Sequence, residues 1–376
     1  MANPARILMH YNGTFCPLEG VGRVILNLGG ELEKSDLIVQ YLFGSGASEP
    51  YANYLNFFKS RWLRVLRHTP LTVLLFMYWI RDKDYDIVHS NTPEAAFDAI
   101  WAKFFLRKKY RVIIQFHGLD TQLLEDYLAE WKKVKFQLSW LTIFYLLLSS
   151  IKTRLCVNRA DAIVAISTAV KNEIRVRWNC DVTIISNGVS TKEFYPMRVK
   201  NLSAKDDVYR ILFVGNIAWR KGLFYLLQAI NGMSVRIHLT CVGLSNPPWL
   251  QNWTADCITF IPKLSTSELN QYYNRSDVLV VPSINEPFGL IYLEGMATGL
   301  PVVGSYGTGA EDLIKNGKTG WLCEKGNVDS LRACIKRVMQ LGKKSFSKSA
   351  IDTAHKFSWA HCANQYRELY VNFLKK

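Results

Sequence analysis

A chain of 376 residues has room for two or three domains, and with 49% hydrophobic and 20% charged residues it builds packed cores, which excludes a disordered protein. Lys and Arg number 46 against 31 Asp and Glu, and the resulting +15 attracts polyanions: nucleic acid, acidic lipid surfaces or phosphorylated substrates. The longest charge-free apolar stretches, Thr69 to Ile80 and Phe136 to Ile151, are shorter than a spanning helix requires, and the eight scattered cysteines include no C-x-x-C pair that would suggest zinc or a disulfide framework.

The start, Met1 to His10, carries one basic residue and too short an apolar run for a secretory signal, so a cytoplasmic location is expected. Ile7 to His10 reads as the first strand. Gly20 and Gly22 follow, and their missing side chains leave room for phosphate or sugar to approach backbone N–H groups, although a tight turn without ligand has the same pattern. Tyr54 to Arg67 interleaves aromatic residues with Lys59, Arg61, Arg64 and Arg67 ahead of the apolar Leu71 to Ile80, and Lys132, Lys133 and Lys135 precede a second apolar helix. Such basic aromatic surfaces suit peripheral contact with an anionic membrane; the plainer alternative is ordinary helices with snorkelling cations.

Ile87 to His89, Val112 to Phe116 and Ala162 to Ile166 lack polar alternation, as strands buried on both faces do. His117 leaves the carboxyl end of the second of these, beside Gly118 and Asp120. Turn residues from Asn187-Gly188-Val189 to Pro196 and the polar stretch Met197 to Arg210 break the pattern, which resumes at Ile211 to Val214, Ile237 to Val242, Val278 to Val281 and Pro301 to Gly304. The expected fold is α/β, with two doubly wound Rossmann-like domains, 1–195 and 196–357, and a central cleft where ligands bind beyond the strand ends.

The segment from Val281 to Pro301 carries the most chemistry. It reads as strand, loop, helix and stop, with Pro287 in the turn, Leu290 to Thr298 helical, Gly299 as the C-terminal cap and Pro301 barring continuation. The N–H groups of Phe288, Gly289 and Leu290 would then point out of a helix N-terminus, where the dipole favours an anion such as a diphosphate. Glu286 precedes that terminus and Glu294 lies about one turn inside the helix, so that one can meet a sugar and the other a ribose. Two nearby carboxylates also suit a glycoside hydrolase, but a pair on one loop-helix unit beside an anion-binding terminus fits a nucleotide-sugar better than opposite sides of a glycosidic bond. Between a strand and a helix, Asn216, Arg220 and Lys221 place two cations where a leaving diphosphate would gather charge. Gly307 to Gly309 and Glu311 are further candidates for enclosing it, and the base is expected near Ile261 to Leu264.

Glu286 and Glu294 resemble the E-x7-E element of retaining GT-B glycosyltransferases, and the surrounding Pro-Ser-x-x-Glu-Pro-Phe-Gly-Leu is most similar to glycosyltransferase family 4. Glu19 to Gly22, Phe116-His117-Gly118, Asp161 to Ser167, Asn187-Gly188-Val189, Val214-Gly215 with Arg220-Lys221-Gly222, and Gly307 to Asp312 extend the resemblance over nearly the whole chain. It implies catalytic roles for His117, Glu286, Lys221 and Arg220. Donor binding would involve Gly20, Gly22, Asn216, Phe288, Gly289, Leu290 and Glu294. Asn216 stands where the family often has Arg, which shifts the phosphate role to Lys221. The resemblance also implies that residues 358–376 cross back onto the N-terminal domain.

The activity so implied is retaining transfer of a sugar from a nucleotide-diphosphate donor to a hydroxyl of a glycan or lipid-linked acceptor, with no metal and no cofactor. A sugar phosphorylase or sugar-nucleotide epimerase of the same fold is the alternative. A polyanion-binding non-enzyme would use the charge, but no recognition-helix or RNP-like pattern appears.

Overall fold

The computed structural model describes residues 4–14, 20–45, 52–53, 71–119, 125–126, 140–198, 208–215, 219–243 and 257–375. The basic stretch Tyr54 to Arg67, the cluster Lys132, Lys133 and Lys135, and Asn216 lie outside these described residues. The chain forms two compact units: one contains Met1–Trp131, Gln137–Asn187 and Trp359–Lys376, and the other Gly188–Ser358.

The first unit holds β1 (Ala5–Thr14), α1 (Gly20–Leu32), β2 (Leu37–Ser45), β3 (Ala52–Asn53), α2 (Leu71–Ile80), β4 (Ile87–Ser90), α3 (Pro93–Phe105), β5 (Arg111–Phe116), α4 (Trp140–Val157), β6 (Ala162–Ala165), α5 (Thr168–Trp178) and β7 (Thr183–Ile184). The second holds β8 (Tyr209–Val214), α6 (Leu223–Ile230), β9 (Ile237–Val242), β10 (Ile258–Ile261), α7 (Thr266–Arg275), β11 (Val278–Val280), α8 (Leu290–Ala297), β12 (Val302–Ser305), α9 (Ala310–Leu313), β13 (Gly320–Cys323), α10 (Val328–Leu341) and α11 (Lys343–Lys356). The final helix, α12 (Trp359–Leu374), belongs to the first unit and packs against α1.

Both sheets are parallel and doubly wound, with strand orders β3-β2-β1-β4-β5-β6-β7 and β10-β9-β8-β11-β12-β13. In each, the connection reverses direction beside the first strand, so the switch points lie between β1 and β4 and between β8 and β11. The same aspartate device pins both registers. Asp86 accepts from the Arg6 N–H at 2.7 Å and donates its own N–H to the Arg6 carbonyl at 2.9 Å; Asp277 does the same with Arg210 at 2.8 and 2.9 Å. Asp161 repeats it on β5, accepting from Val112 at 2.8 Å and pairing with Lys103 and Arg111.

Residues 188–198 pack with the second unit, which moves the chain crossing ahead of the boundary expected after residue 195. Phe194 is fully buried edge-on to Tyr273, and Asn274 accepts from the Met197 N–H at 2.7 Å. The apolar strand runs did not reveal β2 or β13. β2 alternates between half-buried and exposed over its first five residues beside the two-residue edge strand β3, and β13 has four residues opening on Gly320.

His89 on β4 ties α12 to the first sheet. Its Nε2 lies 2.9 Å from the Gln115 carbonyl oxygen, an acceptor, so Nε2 carries the proton and Nδ1 accepts from the Tyr370 hydroxyl at 2.6 Å. Burial pushes this imidazole down from 6.5 to about 4, against the hydrogen bond to Gln115. The unfolded chain therefore takes up this proton first. Stability is expected to be full above pH 6.5 and to fall between there and about pH 4, by up to ~1.4 kcal/mol per pH unit for this residue. Denaturant titrations across pH check it: His89→Gln should flatten the slope by about one proton.

Candidate functional site

Three loops meet at the switch point of the second sheet. Gly222, at φ 75°, closes the turn after β8, and a Cβ there would stand 2.0 Å from the Pro282 carbonyl oxygen, so this turn lies directly on the loop after β11. The Arg220 carbonyl accepts from the Ile284 N–H at 2.8 Å and fastens the two. The third loop, after β12, joins through Gly309, whose N–H donates to the Glu286 carbonyl at 2.7 Å and whose lack of a side chain permits contact with Pro287.

This knitting brings Lys221 and Glu286 together. A Cβ on Gly215 would fall 2.8 Å from Lys221 Cγ, so the glycine leaves the space that the lysine stem fills. Lys221 Nζ then donates to Glu286 Oε2 in an ion pair whose side chains are only 11% and 8% exposed. The sequence assigns these residues separately, one to phosphate and one to sugar, and only the fold pairs them.

Just beyond, Gly289 takes φ 97° as the N-cap of α8. The N–H groups of Phe288, Gly289 and Leu290 make no hydrogen bond among the described residues and stand at the positive end of the helix. The Phe288 ring is buried, edge-on to Phe357, so only its backbone is offered to a ligand. At the other end the N–H groups of Gly299 and Leu300 return to the Met296 and Gly295 carbonyls, as the expected C-terminal stop requires. Glu294 is 3% exposed and accepts from the Tyr273 hydroxyl of α7 at 2.9 Å. Nothing in the sequence singled out Tyr273. Arg220 has no carboxylate partner among the described residues, and its Nε is buried without a hydrogen bond.

Gly20, Gly22 and His117 belong to the first unit. Gly20, at φ 56°, opens α1 with free space where a Cβ would project, and Gly22 is buried in that helix. His117 is half-buried, yet its Nε2 is sealed from solvent without a described partner; burial and, secondarily, His89 push its pKa down to about 3. Asn12 Nδ2, Ser90 Oγ, Asn91 Oδ1 and Gln115 Nε2 are likewise buried and unpartnered around the carboxyl ends of β1, β4 and β5. A buried polar group left unmet costs ~1–3 kcal/mol, so these ends gather polar atoms that the described residues do not themselves satisfy. Gln115 carried a signal in the sequence, a polar residue inside the apolar run Val112 to Phe116.

Residues 18–193 match the model of Glycosyltransferase Family 4, and residues 208–340 match that of Glycosyl transferases group 1. The solved structure of sucrose-phosphate synthase from Thermosynechococcus elongatus superposes with a TM-score of 0.79 at 20% identity, covering 99% of both chains. A protein of Anabaena, HepE, solved with UDP-glucose, superposes at 0.72 and 15% identity, covering 98% of this chain and 99% of its own. An uncharacterized glycosyltransferase of Methanocaldococcus jannaschii is 28% identical over 232 residues, 55% of this chain and 59% of its own length. Alignments with the curated relatives span 41% to 76% of those proteins. The fold is that of GT-B glycosyltransferases. The two family models together span most of the chain, and it belongs to the group 1, family 4 glycosyltransferases.

The buried pair makes a stability prediction. Lys221→Met leaves the Glu286 carboxylate buried and unpaired and should destabilise by about 3–5 kcal/mol, whereas Lys221→Met with Glu286→Leu should recover most of that loss. Denaturant unfolding followed by tryptophan fluorescence measures both.

Proposed function

We propose that this chain is a retaining, metal-independent hexosyltransferase that moves a sugar from a nucleotide-diphosphate donor to a hydroxyl of a glycan or lipid-linked acceptor. The observation that carries the reading is the buried Lys221–Glu286 pair beside the unengaged N–H groups of Phe288, Gly289 and Leu290. Donor chemistry of the UDP-glucose kind, present in the Anabaena neighbour, suits such a site.

In this reading the diphosphate sits at the N-terminus of α8 and draws on Lys221, with Arg220 as a second cation. Lys221 acts as a point charge, and Arg220 can grip two phosphate oxygens. These groups supply the positive field that a divalent ion gives other transferases. Glu286, released from Lys221, turns to the sugar hydroxyls. Glu294, oriented by Tyr273, accepts from the ribose. Gly20, Gly22 and Asn216 are assigned to donor binding as well, the glycines through nearby backbone N–H groups.

His117 is assigned to the donor sugar. Its depressed pKa keeps the imidazole neutral at pH 7, so it acts as a hydrogen-bonding group rather than a cation. The acceptor hydroxyl attacks the anomeric carbon on the face from which the diphosphate leaves. The new C–O bond forms as the carbon–phosphate-oxygen bond breaks, and the hydroxyl proton passes to the departing diphosphate oxygen. The unpartnered polar groups of the first unit support its role in holding the acceptor.

Incubation with a panel of nucleotide sugars and acceptors, read by proton NMR, tests the reading. The new glycoside should keep the donor's anomeric configuration, and turnover should survive EDTA. An inverted product, a strict Mg²⁺ or Mn²⁺ requirement, or release of sugar phosphate or an isomer alone would overturn it. Glu294→Ala should weaken donor binding about tenfold or more, from ~1.5–3 kcal/mol for a charged hydrogen bond. Glu286→Ala and His117→Ala should lower kcat more than they raise KM.

A further inference from the structure

Helices α2, α3 and α4 pack side by side over one face of the first sheet, where His10 stacks on Phe76 of α2 at 4.5 Å. Each returns from the carboxyl end of one parallel strand to the amino end of the next, so all three run the same way and end together at the amino edge of the sheet. Lys108 Nζ, reaching the Lys83 carbonyl at 2.8 Å, ties the ends of α2 and α3, and Arg159 lies over Trp101, 5.8 Å from the ring centroid, tying α4 to α3.

The outward side of this layer is apolar. Leu74 and Tyr78 on α2 are 61% and 69% exposed, Phe104 and Phe105 at the end of α3 are 70% and 59% exposed, and Leu147 and Ile151 on α4 are 51% and 58% exposed. The helical spacing of four residues within the α2 and α4 pairs puts each pair on one stripe. Single exposed apolar residues are ordinary, but adjacent rows on three packed helices form a surface that water disfavours.

Cations frame it. Neither α2 nor α4 contains an Asp or Glu. Arg81, Arg107, Lys109, Arg154 and Arg159 are exposed at the helix ends, and Arg81 and Lys83 lie over Tyr78 and Trp79 at 4.6 and 4.1 Å from the ring centroids. Asp82 and Asp84 answer Arg81 and Lys108, leaving the cations of α4 without such partners among the described residues. A second copy docked on this face would bring like charges together, whereas an anionic surface receives both the cations and the aromatic rings. No helix among the described residues is long and apolar enough to cross a membrane, so the contact would be one of surface seating.

We propose that the outward face of α2, α3 and α4 docks the first unit onto an anionic lipid bilayer, with Phe104 and Phe105 entering the interface and Arg154 and Arg159 meeting the headgroups. This inference stands apart from the transfer reaction and from the basic stretch Tyr54 to Arg67.

Sedimentation of the full chain with vesicles tests it. Binding should be strong to phosphatidylcholine mixed with phosphatidylglycerol and weak to phosphatidylcholine alone. Arg154→Ser with Arg159→Ser should lower partitioning about twenty-five-fold, since each cation near an acidic surface contributes about a factor of five; an unchanged denaturation midpoint checks that loss of the Arg159 contact with Trp101 leaves the fold intact. Phe104→Ser with Phe105→Ser should lower it by a similar factor and make the remainder fully removable by salt. Nucleoside diphosphate affinity should stay unchanged in both variants. Vesicle binding unaffected by either variant, equal binding to both vesicle types, or no binding together with a dimer that Phe104→Ser dissolves would overturn the proposal.

Discussion

A lysine and a glutamate held together out of water, Lys221 and Glu286, are the interaction on which the second unit's site depends. Each charge alone would face a desolvation penalty of several kcal/mol, and only their proximity offsets it. The proximity is set by backbone: Gly215 opens space for the lysine stem, Gly222 lets the first loop touch the second, and Gly309 seats the third beneath Glu286. A buried pair of this kind is weak evidence for stability in itself. In the proposed reaction an incoming diphosphate would take over the lysine while the released carboxylate meets neutral hydroxyls, so that neither charge is abandoned during the exchange.

Two sheets of the same winding serve different ends. Asp86 and Asp277 pin equivalent strands by the same pair of backbone hydrogen bonds. At the carboxyl edges the likeness stops. The second unit offers a helix terminus and two cations, suited to an anion, while the first offers neutral amides, a hydroxyl and an imidazole kept uncharged by burial. In the proposed reaction the second unit's groups meet the diphosphate, while the first unit's neutral groups meet sugar hydroxyls, those of the donor at His117 included.

The parallel winding was legible because buried strands such as Val112 to Phe116 and Val278 to Val281 are short, apolar and rich in β-branched residues. The loop-helix from Glu286 to Gly299 was legible because Pro287, Gly289 and Gly299 each fix a backbone geometry that few other residues allow. What stayed hidden depends on contacts between distant residues. Tyr273 reaches Glu294 across 21 positions, Lys221 reaches Glu286 across 65, and His89 reaches Tyr370 across 281. No local pattern encodes such partners. The exposed face of α2 and α4 was hidden for a related reason: apolar helices look alike in sequence whether or not the fold covers them.

The exchange at Lys221 is tested most directly by nucleoside diphosphate affinity in a double-mutant cycle, measured by titration calorimetry on the wild type, Lys221→Met, Glu286→Gln and the double variant. If Glu286 competes with the diphosphate for Lys221, Glu286→Gln binds more tightly than the wild type, Lys221→Met binds at least tenfold more weakly, and in its background the glutamate substitution has no further effect. Weaker binding by Glu286→Gln, or effects of the two substitutions that simply add, would contradict it.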